Sequence, residues 1–171
     1  MTKNDPAPAL KKFNLVVSRV FDAPIGLVWK AWTDPQLVMQ WWGPDRFISP
    51  SAVLDFREGG KSLVCMRAPA EMGGQDMYST WTYRKIEPMQ RIELIHNLAD
   101  KDGNKVHPST MGMPPDFPID LLMVVKFKDL GEGRTEMTVT EHDWTPGHMS
   151  DLAKTGLEQS LDKMAKALAG T

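Results

Sequence analysis

Between Thr145 and Gly170 an apolar or small residue returns at nearly every third or fourth position: Met149, Leu152, Ala153, Gly156, Leu157, Leu161, Met164, Ala165 and Leu168. That spacing draws one apolar stripe down a helix of about six turns. Asp151, Lys154, Glu158, Asp162, Lys163 and Lys166 fall on the opposite face. Thr145 is a candidate cap, Pro146 a candidate opening residue, and Gly170 follows the last periodic position. A stripe this long must lie on another apolar surface. Gly156 inside it costs about 1 kcal/mol against alanine, which predicts either a close approach to the covered surface or free space beside it.

The rest of the chain supplies that surface. Phe13–Phe21 alternates as a strand. Two short helices are predicted next, the first opening near Pro24 with Asp22 as its cap candidate, the second after Asp34-Pro35 and ending at Gly43-Pro44. Strand-like runs follow at 53–57, 61–67, 77–86, 91–97, 119–128 and 134–142, separated by turn sequences such as Glu58-Gly59-Gly60 and Leu130-Gly131-Glu132-Gly133. The order is strand, two helices, about six strands, long helix. The expected fold class is α+β: a curved antiparallel sheet of six or seven strands wrapped around the C-terminal helix. Residues 1–12 are expected as a loose arm and 13–170 as one domain, which suits a chain of 171 residues.

Composition narrows function by exclusion. A net charge of −2 gives no field for nucleic acid or anionic membranes. No stretch approaches the roughly 18 apolar residues of a membrane span, and the N-terminus has no apolar targeting core. A cytoplasmic setting is the default. Cys65 is the sole cysteine, which leaves no internal disulfide and no cysteine cluster; it reads as a buried structural thiol. No histidine pair has metal spacing, and there is no nucleophile elbow and no phosphate-binding glycine loop. No metal and no cofactor are expected. What stands out is soft bulk: 12 Met and 6 Trp against 2 Tyr.

Several runs together point to a family. They are Arg19-Val-Phe-Asp-Ala-Pro24, Val28-Trp29-Lys-Ala-Trp32-Thr-Asp-Pro35, Gln40-Trp-Trp-Gly-Pro44, Asp55-Phe-Arg-Glu-Gly-Gly60, Ile86-Glu-Pro88 with Arg91-Ile92, and Gly156-Leu-Glu-Gln-Ser-Leu161-Asp-Lys-Met-Ala165. In this order, over about residues 13–168, the chain resembles the heat-shock protein 90 ATPase activator homologue family. The resemblance implies the START-like (SRPBCC) helix-grip fold, with the sheet gripping the last helix over an internal cavity. It implies further an apolar small-molecule ligand between sheet and helix, a chaperone as a candidate protein partner, or cyclase-type chemistry as in some members of the superfamily. Two features depart from the pattern. Leu157 stands where the family often has Trp, and about 20 residues, Ala99 to Pro118, connect two strands, longer than most loops.

Wall candidates for such a cavity are Trp41, Phe47, Met66, Trp81, Met123, Leu157 and Leu161, because Met adapts its shape and aromatic rings offer flat apolar faces. Filling the core is the competing reading for each. His96 alternates with Ile92 and Leu94, and Glu141 with Met137 and Val139, so both are expected to point inward. Three function classes stay open: a carrier or sensor of a lipid-like, aromatic or polyketide-like molecule; a chaperone-regulating module with an exposed apolar patch at Met111–Phe117; and a cyclase, dehydratase or hydrolase that needs His96 and Glu141 to converge. A monomer or homodimer suits all three.

Overall fold

The computed structural model describes residues 11–171, so the first ten residues of the expected arm lie outside the described residues. Strand β1 (Phe13–Phe21) is followed by helices α1 (Ile25–Thr33) and α2 (Pro35–Trp41), then strands β2 (Ala52–Val53), β3 (Lys61–Arg67), β4 (Asp76–Glu87), β5 (Arg91–Ala99), β6 (Leu121–Gly131) and β7 (Arg134–Trp144), and finally helix α3 (His148–Ala169). The strands form one curved antiparallel sheet in the order β1-β7-β6-β5-β4-β3-β2. The first strand therefore pairs with the last. Helices α1 and α2 carry the chain from one sheet edge to the other across the face that α3 also covers.

Alternation decides which side chains face the helices. In β7, Thr135, Met137, Val139 and Glu141 are buried, and Glu136, Thr138, Thr140 and His142 are less so. Ile92, Leu94 and Leu98 do the same in β5, with His96 on their side. The core beneath them centres on tryptophan. Trp32, Trp41 and Trp81 are fully buried, with ring centroids 4.7 Å apart for Trp32–Trp41 and 5.7 Å for Trp32–Trp81.

Local chemistry moves several expected boundaries. The helix start near Pro24 is capped by Pro24 itself, whose carbonyl accepts from Leu27 N and Val28 N. Asp22 does not cap it; its carboxylate lies 3.6 Å from Arg134 instead. The strand expected at 53–57 shrinks to Ala52–Val53, because a tight turn captures the backbone beyond it. Asp55 N donates to Ser62 Oγ, and Arg57 N to the Asp55 carbonyl. That turn explains Gly60: a Cβ there would stand 2.2 Å from the Asp55 carbonyl oxygen, a clash only backbone movement relieves. Gly60→Ala is expected to cost about 1–3 kcal/mol, read as a lower urea midpoint; an unchanged midpoint would show that the turn relaxes freely.

Helix α3 begins at His148, not at Pro146. Ser150 Oγ accepts from Gly147 N at 3.0 Å and donates to the Gly147 carbonyl at 2.9 Å, which makes Gly147 the cap and leaves Thr145 and Pro146 in the preceding turn. The stripe of α3 is divided. Leu161, Met164 and Leu168 in its second half are buried in the core, whereas Leu152, expected on the stripe, is half exposed.

Candidate functional site

The first half of the α3 stripe meets the sheet only in part: Met149, Ala153 and Leu157 are partly buried at the edge of the core. Between helix and sheet lies a half-enclosed cavity of about 200 Å³. Ala153, Gly156, Leu157 and Ser160 form its helical wall. Met77 and Ser79 of β4, His96 and Leu98 of β5, Leu121 and Met123 of β6, and Glu141 and Trp144 of β7 form its floor. Met66 of β3, the stretch Trp42-Gly43-Pro44 after α2, and Met113 and Phe117 of the 99–118 connection complete it. Gly156 belongs to the free-space alternative: a Cβ there would meet only Pro44 Cβ, at 3.7 Å.

Of the residues expected on the wall, Met66, His96, Met123, Glu141 and Leu157 line the cavity. Trp41, Trp81 and Leu161 do not; they are fully buried in the core. Trp41 is turned away by a hydrogen bond from its Nε1 to the Ala31 carbonyl at 2.7 Å. Trp42 takes its place, because the backbone becomes extended where α2 ends and the next side chain swings to the cavity. Phe47 is also outside the lining, in the loop that follows; a Cβ on Gly43, at φ 110°, would lie 3.2 Å from its own Cβ. Trp144 was missed for a different reason. Asp143 adopts φ 61°, and the β1–β7 register slips between Phe13 and Leu15. This bulge resets the alternation, so Trp144 follows Glu141 inward.

Two ionisable side chains line the cavity, and burial acts on them in opposite directions. His96 keeps part of its surface open on the cavity, yet enough protein surrounds the imidazole that desolvation pulls its pKa down to about 4. Glu141 is 7% exposed, and desolvation pushes its pKa up to about 7, partly offset by a hydrogen bond from Trp144 Nε1 at 3.2 Å. Both lie on the concave side and line the same cavity, on strands separated by β6. His96 pairs with Leu121 and Glu141 with Met123 on the intervening strand, so two strand spacings, about 10 Å, plus a two-residue offset along the strand separate their backbones, and neither bears on the other's ionisation among the described residues. Trp42 Nε1 and Trp81 Nε1 are buried without a hydrogen-bond partner. Cys65 is fully buried, and desolvation raises its pKa, as suits an inert thiol.

The cavity roof is tied down at the Pro44 end. Lys163 Nζ, half-buried on α3, donates to the carbonyls of Pro44 (3.3 Å) and Phe47 (3.0 Å), and burial lowers its pKa. Asp45 N donates to Gln159 Oε1 at 3.1 Å. From the other side Arg19 of β1 reaches Asp162 at 2.6 Å and the Glu158 carbonyl at 3.3 Å. A second recess, of about 400 Å³, is lined by Glu87, Gln90, Arg91, Lys126, Phe127, Lys128, Glu136 and Thr138. Its mixed charges offer no seat to an apolar molecule. Among the described residues no helix is long and apolar enough to cross a membrane, and no three His, Cys, Asp or Glu side chains cluster as metal ligands.

Several solved structures share the architecture. A protein of Arthrobacter aurescens superposes with a TM-score of 0.75 at 23% identity, covering 95% of this chain and 92% of that one. One from Chromobacterium violaceum gives 0.72 at 22%, covering 91% and 96%. The AHSA1 protein of Silicibacter pomeroyi gives 0.71 at 19%, covering 92% and 98%. At these identities the likeness is one of fold. No curated protein matches the chain. Sequence supplies the closer tie, since the match to one family runs from residue 22 to residue 169, from the end of β1 to the last residue of α3. The helices, the meander and the helix-capped cavity all fall within it, and the chain belongs to the family of activator of Hsp90 ATPase homolog 1-like proteins.

Proposed function

We propose that this protein binds an apolar small molecule (lipid-like, aromatic or polyketide-like) beneath α3 and serves as its carrier or sensor in the cytoplasm. The observation that carries this reading is the division of the α3 stripe: its second half is packed into the core, while its first half spans an apolar-walled cavity of about 200 Å³. Ligand sites are typically such concave apolar spaces with a few polar groups, here Ser79, His96, Glu141 and Ser160. Burying about 200 Å² of apolar ligand surface contributes on the order of 5 kcal/mol before ordering costs. Met113 and Phe117 place the 99–118 connection at the rim, where it can gate access.

A thermal melt against a panel of lipids, aromatics and polyketide-like compounds tests this. A ligand at 100 times its Kd adds about 2.7 kcal/mol of stability, and native mass spectrometry should show the bound mass. Leu157→Trp, which fills the cavity from the helix, is expected to keep the fold and lose the ligand-induced rise in Tm. An unmoved Tm across the panel with no bound mass would sink the reading.

The family description favours a second reading, regulation of a chaperone ATPase. Its expected docking patch at Met111–Phe117 is compromised, because Met113 and Phe117 line the cavity and Phe117 packs edge-on against Trp144 at 5.7 Å. Co-purification and an ATPase assay with the chaperone decide it; no complex and no rate change remove it. The enzyme reading needs a substrate that bridges His96 and Glu141, which share the cavity without a hydrogen bond to each other among the described residues.

A further inference from the structure

This inference rests on the apolar-ligand reading and narrows its chemistry. Among the residues that line the cavity, Glu141 is the one carboxylate, and there is no lysine or arginine. Its Oε1 accepts from Trp144 Nε1, while Oε2 has no hydrogen-bond partner within the described residues. The other ionisable wall residue, His96, is neutral in the neutral pH range, so it supplies no counter-charge. A buried carboxylate without a cation is costly, and whatever brings the cation relieves that cost. Trp42, Phe117 and Trp144 contribute aromatic rings to the same wall, and the quadrupole of an aromatic face attracts cations and repels anions. An anionic guest, by contrast, finds no positive partner and meets the charge on Glu141.

We propose that the ligand is a lipophilic amine, held as an ammonium ion paired to Glu141 with its apolar body against Met123 and Leu157, and that carboxylates such as fatty acids are excluded. The volume sets its size. A dry apolar cavity of about 150 Å³ takes benzene, so 200 Å³ suits one ring with a short chain. Long acyl chains and sterols do not fit within it.

Three matched probes test the proposal: 4-phenylbutylamine, 4-phenylbutan-1-ol and 4-phenylbutyrate, titrated by calorimetry at pH 8. At that pH Glu141 is ionised and the amine is protonated. The amine is expected to bind at least about tenfold tighter than the alcohol, the scale of one charge-assisted hydrogen bond, and the carboxylate weaker than the alcohol. The amine's advantage should shrink at pH 5.5, where Glu141 is protonated. His96 is neutral at both pH values, and no other ionisable side chain lines the cavity. Glu141→Gln should erase the amine's advantage, so that the amine and the alcohol bind about equally. An alcohol or carboxylate that binds the unmodified protein as tightly as the amine overturns the amine assignment and leaves apolar binding standing. Failure of all three to bind overturns the amine assignment, whereas the apolar-ligand reading falls only if the wider panel also leaves Tm unmoved. The comparison in the unmodified protein decides the matter even where the Glu141→Gln variant fails to fold.

Discussion

Replacing Trp41 by alanine is expected to remove about 3–5 kcal/mol of folding stability, the range for a fully buried tryptophan truncated in a packed core. Against a total of about 5–15 kcal/mol for a domain, that is a large share of the whole. Trp41 is fully buried, with ring centroids 4.7 Å from Trp32, 5.8 Å from Trp42 and 6.4 Å from Trp81. It also satisfies the Ala31 carbonyl near the end of α1. Two gentler substitutions separate these contributions. Trp41→Phe keeps a ring but strands the carbonyl, adding about 1–3 kcal/mol to the packing loss. Trp81→Phe strands nothing, because Trp81 Nε1 has no partner, and should cost less. Urea unfolding followed by circular dichroism reads all three. A Trp41→Ala midpoint close to that of the unmodified protein would show that α1 and α2 contribute little to the core.

The second large effect is one of pH. Glu141 ionises with a pKa near 7 in the folded protein and 4.5 in the unfolded chain. Below pH 4.5 it is protonated in both states and costs nothing. Its penalty grows as pH rises and is complete above about 7. His96 behaves in reverse, with a folded pKa near 4 against 6.5 unfolded. Its penalty is absent above pH 6.5, grows as pH falls and is complete below about 4. Each is worth about 3 kcal/mol at 1.36 kcal/mol per pH unit. The two slopes oppose each other between pH 4 and 7, so the unmodified protein should be nearly level there with respect to this pair. Glu141→Gln exposes the histidine slope, and stability should rise by about 3 kcal/mol from pH 4 to 7. His96→Asn exposes the glutamate slope, and stability should fall by a similar amount. Denaturant midpoints at half-unit pH steps measure this; parallel profiles for all three proteins would show that neither group is desolvated as described.

Where the chain is periodic, its sequence was readable. The alternation in β5 and β7 sent His96 and Glu141 to the same side, and the spacing in α3 located its covered face. Met77, Leu98 and Leu121 share parity with Trp81, His96 and Met123, so the signal for them existed and only the choice among equals failed. Other wall residues depend on single irregular backbone positions. The left-handed Asp143 brings Trp144 inward, and the extended residue after α2 exchanges Trp42 for Trp41. Period counting has no access to either. Met113 and Phe117 sit in a connection with no period at all, where the apolar run read as an exposed patch and nothing signalled that two of its side chains turn into the cavity. The cavity is harder still to foresee, because it depends on how far α3 stands from the sheet, a distance set by everything packed under its other half.

The ties that Lys163 and Gln159 make to the 44–47 loop have a mechanical consequence. The loop is the direct continuation of α2 and the tryptophan cluster, so α3 cannot lift at that end without pulling on the most tightly packed part of the molecule. Arg19 restrains the helix from β1 in the same way. On the proposed ligand-binding reading, a guest would enter at the opposite rim, where Met113 and Phe117 belong to a long connection rather than to a strand or an α-helix. The roof is built as a fixed lintel, and only the side wall is left free to give.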